Sequence, residues 1–334
     1  MYRVFSKQRY YNKYSKKVKR RRHVNRRLRY RRSHLWRSNA KLRRSQRYRR
    51  HDAPVCRSCG LLLVADSSFY REVGERSVKG TVMQLLYHVR ELNILLRQQD
   101  YDKDGHADCV GVHVAGVGVI KSKFSSSNIL DTGSRGHMSP NSYLKTFSRY
   151  QLDGYCLAIL FSSKVFAGKV LGLSWRADNV TRAGICQSRT NVGSPERLEM
   201  LNLNSLFITM RTKHMDRIPL RMGVLNLAHE VLHSFGASHD PDTVECGARY
   251  IMSRYSGSGV HHNNELISPC TGRSVAAVLR SAQMTQCLVT RSHGHQGYCG
   301  DGQLDNGEQC DCGDTETCVQ ARSPCVPPGL RHVY

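Results

Sequence analysis

Apolar residues recur at three- and four-residue spacing through Val78, Val82, Leu85, Leu86, Val89, Leu92 and Leu96. That period predicts a long amphipathic helix with one buried face, and core packing accounts for the stripe. Elsewhere the pattern changes to short apolar runs. Gly60 to Ala65 predicts a strand, as do Tyr155 to Phe161, Val170 to Trp175 and Ser205 to Met210. Val110, Val112 and Val114 alternate, whereas Val117 and Val119 continue on the opposite phase. A bulge near Gly116 would produce that slip. Helical spacing returns from about Gly223 to Phe235 and again from Arg273 to Gln283. Strands alternating with helices between residues 51 and 290 predict an α/β domain.

Two flanking segments differ in character. Residues 1–50 hold 22 of the 51 Lys and Arg and none of the 26 Asp and Glu, which leaves 29 basic against 26 acidic residues elsewhere, a charge near +3. The net charge of +25 is therefore a property of this tail, and no nucleic-acid partner is expected for the folded part. The tail itself reads as a disordered pro-segment, or alternatively as a polyanion-binding arm. It ends in Arg47-Tyr48-Arg49-Arg50, an R-x-R-R pattern that makes Arg50 a candidate processing site of the furin type. From Cys299 onward Gly, Asp and five cysteines replace apolar periodicity, which predicts a small stapled module over 291–334.

The chain has 13 cysteines and no apolar run long enough to span a membrane. Cysteine density predicts an oxidising compartment, yet the start of the chain does not read as a signal peptide. The conflict, together with the odd cysteine count, leads us to expect a sequence incomplete at both ends.

The chemistry is concentrated in Ala228-His229-Glu230-Val231-Leu232-His233-Ser234-Phe235-Gly236-Ala237-Ser238-His239-Asp240. This is H-E-x-x-H-x-x-G-x-x-H. Four-residue spacing on a helix puts His229 and His233 on one face, one turn apart. Gly236 can take positive φ, end the helix and return His239 to the same ion. Three imidazoles leave a fourth tetrahedral position open, so one catalytic zinc is expected. Glu230 is not a ligand and is placed to act as general base on water, which predicts peptide hydrolysis that declines in acid. Met252, thirteen residues after His239, is the candidate Met-turn.

These motifs, with Cys299-Gly300-Asp301-Gly302 and Gly307-Glu308-Gln309-Cys310-Asp311-Cys312-Gly313, resemble the ADAM (a disintegrin and metalloproteinase) family of reprolysin-type metzincins. Asp153-Gly154-Tyr155-Cys156-Leu157-Ala158, Val170-Leu171-Gly172-Leu173-Ser174-Trp175 and Gly184-Ile185-Cys186 make the chain most similar to its Kuzbanian-type sheddases. The resemblance covers about residues 47 to 318. It implies a metzincin fold: a twisted mixed sheet over the active-site helix, a lower subdomain after His239, then a partial disintegrin module. It implies that Leu171 and Gly172 lie on the edge strand that pairs with substrate backbone. It further implies the disulfides Cys59–Cys156, Cys186–Cys287 and Cys246–Cys270. Cys56 and Cys109 have no family counterpart, so they either bond to each other or stay free.

The resemblance carries calcium ligands onto Asp301, the Gln303 carbonyl, Asp305, Glu308 and Asp311. It also implies a cell-surface protein that sheds membrane-anchored ectodomains, with Notch-like receptors as one class of substrate. A catalytically weak adhesion or decoy module is the alternative, against which the intact triad and Glu230 argue. Leu232 stands where the family usually has Gly, which raises the prospect of crowding. Ser234 stands in place of a common Asn.

Two further motifs complete the reading. Asp100-Tyr101-Asp102-Lys103-Asp104-Gly105 begins like a calcium loop, but Gly111 occupies its twelfth position, so a solvated turn is expected. Asn179-Val180-Thr181 is a glycosylation sequon.

Overall fold

The computed structural model describes residues 56–121, 139–254 and 261–291, apart from single positions 179, 188, 195, 213, 215 and 248. Arg50, Asn179, the proposed calcium positions and the 291–334 module therefore lie outside the described residues, save Arg291.

Strand β1 (Cys56–Ala65) is followed by helices α1 (Ser67–Glu72) and α2 (Val78–Arg97). Next come β2 (Val110–Val119), α3 (Pro140–Ser148), β3 (Leu157–Ser162) and β4 (Gly172–Ser174). A hairpin of β5 (Thr190–Ser194) and β6 (Arg197–Leu201) precedes β7 (Ser205–Thr209) and α4 (Leu220–Ser234). Helices α5 (Pro269–Leu279) and α6 (Ala282–Thr285) and strand β8 (Val289–Arg291) close the described domain.

The main sheet runs β2-β1-β3-β7-β4, with β8 added to β1. Its three inner pairings are parallel, whereas β4 runs antiparallel to β7 at the edge and β8 antiparallel to β1. A parallel sheet covered on both faces needs strands that are apolar throughout. Every residue of β3 and β7 is accordingly buried. The phase slip in β2 is a bulge at Ala115: Val114 faces Leu61 and Gly116 faces Leu62, and Ala115 has no partner between them.

Helix α2 starts at Ser77, whose hydroxyl accepts from the Gly80 amide, and buries Leu85, Val89, Leu92 and Leu96 against the sheet. Strand β1 is longer than its apolar run because Cys56–Ser58 pair with β8, more than 200 residues away in sequence. The single helix expected over Arg273–Gln283 is two: α5 begins earlier, at Pro269 under the Ser268 cap, and stops at Arg280 before α6 restarts under Ser281. Disulfides join Cys59 to Cys156, Cys186 to Cys287, Cys246 to Cys270 and Cys56 to Cys109.

Candidate active site

Helix α4 presents His229, Glu230 and His233, and its C-terminus is shaped by Gly236. The Gly236 amide donates to the His233 carbonyl at 2.8 Å and the Ala237 amide to the Leu232 carbonyl at 2.9 Å. This pair of bonds is a Schellman motif, and Gly236 supplies its left-handed residue at φ +99°. A Cβ there would meet Val278 Cγ2 at 2.5 Å, so a larger residue is excluded by space as well as by backbone.

The turn brings His239 back over the helix. His239 Nε2 lies 3.2 Å from His229 Nε2 and 3.3 Å from His233 Nε2. Tetrahedral zinc with bonds of about 2.0–2.1 Å holds its ligand nitrogens about 3.3 Å apart, so the spacing fits the ion. The opposite ring nitrogens strengthen the fit. His229 Nδ1 donates to the Ile251 carbonyl at 2.8 Å, and His233 Nδ1 donates to the Ala237 carbonyl at 2.7 Å. A carbonyl can only accept, so both rings carry the proton on Nδ1 and aim a lone pair from Nε2 at the common point. Burial lowers His229 to about 4 and His233 to about 3, which keeps both neutral at physiological pH. Burial also lowers His239, aided by the nearby Arg254 charge.

Glu230 is 5% exposed. Burial pushes its carboxyl up to about 7, opposed by a hydrogen bond that Oε2 accepts from Ser174 Oγ at 2.7 Å. Met252 is fully buried, and its carbonyl accepts from the Asp240 amide at 2.8 Å. The turn at Ile251–Met252 thus anchors both the His229 ring and the residue after His239. Asp240 Oδ1 accepts from Ser268 and from Thr271 Oγ1 at the start of α5, tying the third histidine to that helix.

Leu232 is 1% exposed and belongs to the main core, so its bulk is absorbed by packing rather than thrust into the cleft. Ser234 is also buried; its carbonyl accepts from the Ile185 amide.

A cleft of about 550 Å³ runs between β4 and the three histidines. Gly168 to Ser174 form one wall, and Tyr250, Ile251 and Arg254 lie among the residues opposite. Of the two residues expected to pair with substrate, Leu171 is already engaged. Its carbonyl accepts from the Thr209 amide at 2.8 Å and from Asn226 Nδ2 at 2.7 Å. Main-chain groups alternate sides along an extended strand. Leu171 bonds inward, and so does Trp175, whose amide donates to the Ser205 carbonyl at 3.3 Å. Gly172 and Ser174 therefore direct their main-chain groups away from β7, toward the cleft edge.

The family model Reprolysin_5, described as metallo-peptidase family M12, matches residues 55–268. The chain belongs to that family. Its residues 55–268 are a reprolysin-type M12 metallopeptidase domain. This M12 chain is 27% identical over 278 residues to disintegrin and metalloproteinase domain-containing protein 10 of Mus musculus, covering 78% of the chain and 35% of the relative. It is 27% identical over 331 residues to the protein 10 homologue of Caenorhabditis elegans, covering 86% of the chain and 34% of the relative. The chain thus spans about a third of the length of these curated relatives. Archaemetzincin of Methanopyrus kandleri is a similar solved structure, with TM-score 0.37, 17% identity, and coverage of 67% of this chain and 97% of that one.

The three histidines singled out from the sequence converge in the structure, whereas Ser174 and Asn226, and the carbonyls of Ala237 and Ile251, had not been singled out. Backbone carbonyls leave no mark in a sequence. Ser174 and Asn226 were visible only as members of an edge strand and of a helix. The EF-hand-like run places Asp100, Asp102 and Asp108 near one another. There the Gly105 amide donates to Asp100 Oδ2 at 2.9 Å and the Tyr101 amide to Asp108 Oδ2 at 2.6 Å, as a self-bonded turn does.

Proposed function

We propose that this chain hydrolyses internal peptide bonds of extended protein segments laid along the β4 edge, and that its biological substrates are membrane-anchored ectodomains released at the cell surface. The observation that carries the reading is one cleft with three converging imidazole nitrogens, a buried carboxylate on the same helix, and a strand edge alongside.

In this reading His229, His233 and His239 hold zinc, and Met252 forms the turn that buttresses them. A zinc ion held there would supply Lewis-acid polarisation of the scissile carbonyl and of the attacking water. Substrate main chain pairs with the outward groups of Gly172 and Ser174, which aligns the scissile bond. Glu230 takes a proton from the water as its oxygen bonds to the carbonyl carbon. The same carboxyl then passes that proton to the departing amine as the C–N bond breaks. Burial of Glu230 suits this double role, because a carboxyl near neutrality both accepts and returns a proton.

The assignment of ectodomain shedding draws on the likeness to disintegrin and metalloproteinase domain-containing proteins. On the same likeness we assign residues 51–290 to the catalytic domain, 1–50 to a pro-segment cut after Arg50, and 291–334 to a disintegrin segment.

The test is cleavage of a quenched peptide library by the zinc-loaded chain beside Glu230→Gln. Loss of a general base lowers kcat by about 10²–10⁴-fold with zinc still bound. Equal silence of both proteins, each folded and holding one zinc, would instead favour the adhesion or decoy module.

A further inference from the structure

Strand β4 is only three residues long, and two of them touch the base. Side chains alternate along a strand, so Gly172 and Ser174 share one face and Leu173 takes the other. Leu173 packs into the second core cluster beside Phe207. The Gly172–Ser174 face meets Glu230. A Cβ at Gly172 would lie 2.7 Å from Glu230 Cγ and 2.8 Å from Oε1, so the absent side chain is what lets the carboxylate rest against the strand. Two residues on, Ser174 Oγ donates to Oε2 at 2.7 Å. Ser174 is the one hydrogen-bond partner of that carboxylate among the described residues. Its main chain, meanwhile, is directed at the open edge of the sheet.

We propose that Ser174 is a positioning residue for the peptidase reaction: its hydroxyl fixes Oε2 of Glu230 and leaves Oε1 for the attacking water, while its peptide groups pair with the substrate. One residue then sets the distance between the docked main chain and the base. The physical warrant is geometric. A glutamate has three rotatable bonds, and a general base works only within hydrogen-bond reach of its proton. Gly172 removes bulk from one side of the carboxylate and Ser174 ties down the other. The inference rests on Glu230 acting as the base.

The test uses the zinc-loaded full chain and its Ser174→Ala, Ser174→Thr and Glu230→Asp variants. Ser174→Ala is expected to lower kcat roughly tenfold, the loss of one hydrogen bond to a charged group, at unchanged KM and thermal midpoint. Ser174→Thr keeps the hydroxyl and restores most of the rate. In the Glu230→Asp background, where the shorter carboxylate falls short of residue 174, adding Ser174→Ala changes kcat by less than about twofold, the non-additivity expected of a coupled pair.

A crystal structure of the zinc-loaded wild type provides a readout that does not depend on turnover. Oε2 held on Ser174 Oγ, and a carboxylate spread over several rotamers in Ser174→Ala, support the proposal. A Glu230 carboxylate turned away from Ser174 overturns it even if no peptide is cleaved. Among active proteins, wild-type kcat in Ser174→Ala, or a loss carried wholly by KM, overturns it as well. A wild type that cleaves nothing yet keeps the Ser174–Glu230 bond counts against the peptidase reading and not against the positioning role.

Discussion

His229 and His233 sit in a protein environment that opposes their charge. Burial is the largest cause for both, and it lowers them to about 4 and about 3. An unfolded histidine titrates near 6.5, so below that pH the unfolded chain binds more protons at these positions than the fold does. Acid therefore favours unfolding through both rings. Glu230 acts with the opposite sign: raised to about 7, it gains its proton in the fold first and stabilises the fold as pH falls toward the ordinary carboxylate range. Among these three groups one carboxyl offsets one imidazole, and the other imidazole takes up its proton on unfolding. The zinc-free chain should thus lose stability as pH falls from about 6 to about 4. Thermal midpoints of the EDTA-treated protein at several pH values check this, with His233→Asn as the flatter control. A midpoint independent of pH over that window would show that the rings are not held neutral by burial.

At the scale of elements, α4 is both a core helix and the carrier of the site. Its buried face includes Val224, Leu227, Val231 and Leu232, whereas His229, Glu230 and His233 line the cleft. Leu232 therefore fills core volume, and reverting it to glycine has a cost of two kinds. A cavity replaces a buried side chain, and glycine loses more backbone entropy inside a helix. Leu232→Gly should destabilise the domain by about 3–5 kcal/mol, read from urea unfolding of the zinc-free protein. An unchanged midpoint, or a rise in kcat with it, would mean that Leu232 crowds the site after all.

The elements also show what a local pattern conveys. The runs of β3 and β7 and the core of the α2 stripe, Leu85, Val89, Leu92 and Leu96, were legible because burial on one face, or on both, imposes a period, whereas Val78 and Leu86 of the same stripe are exposed. Helices α1 and α3, the β5–β6 hairpin and β8 were not read. Each is short, and its apolar positions are too few to establish a period. For α3 a usable signal existed: Ser139 before Pro140, a side-chain cap followed by proline in the first turn.

For the molecule as a whole, the sheet, four disulfides and the cleft form one described domain. No helix among the described residues is long and apolar enough to cross a membrane. The described lining of the cleft has a charge of its own. Lys169 and Arg254 line it, and Glu230, buried, is the one carboxylate among its described lining residues. Peptides carrying Asp or Glu within a few residues of the scissile bond should be cleaved several-fold faster than neutral ones. The advantage should shrink as salt rises from about 50 to about 300 mM, since screening falls within about 10 Å near 0.1 M. Side-by-side kcat/KM values for matched peptides decide the point, and Lys169→Glu with Arg254→Glu should reverse the preference. Equal rates at low salt would show that the two cations are only solvated rim charges.

The amino-acid sequence by itself determined the three histidines, the neighbouring Glu230, the glycine that turns the chain and the α/β alternation. Each depends on spacing within a dozen or so residues, and helical and extended geometry convert such spacing directly into position. Tertiary structure alone decided which carbonyls fix the imidazole tautomers, that Cys56 and Cys109 join, that Leu232 is core, and that Leu171 bonds inward while Ser174 grips Glu230. Apart from His233 and Ala237, which are four positions apart, the bonded pairs lie 22 to 56 positions apart. Their meeting is set by the packing of strand against helix, which leaves no local period in the chain.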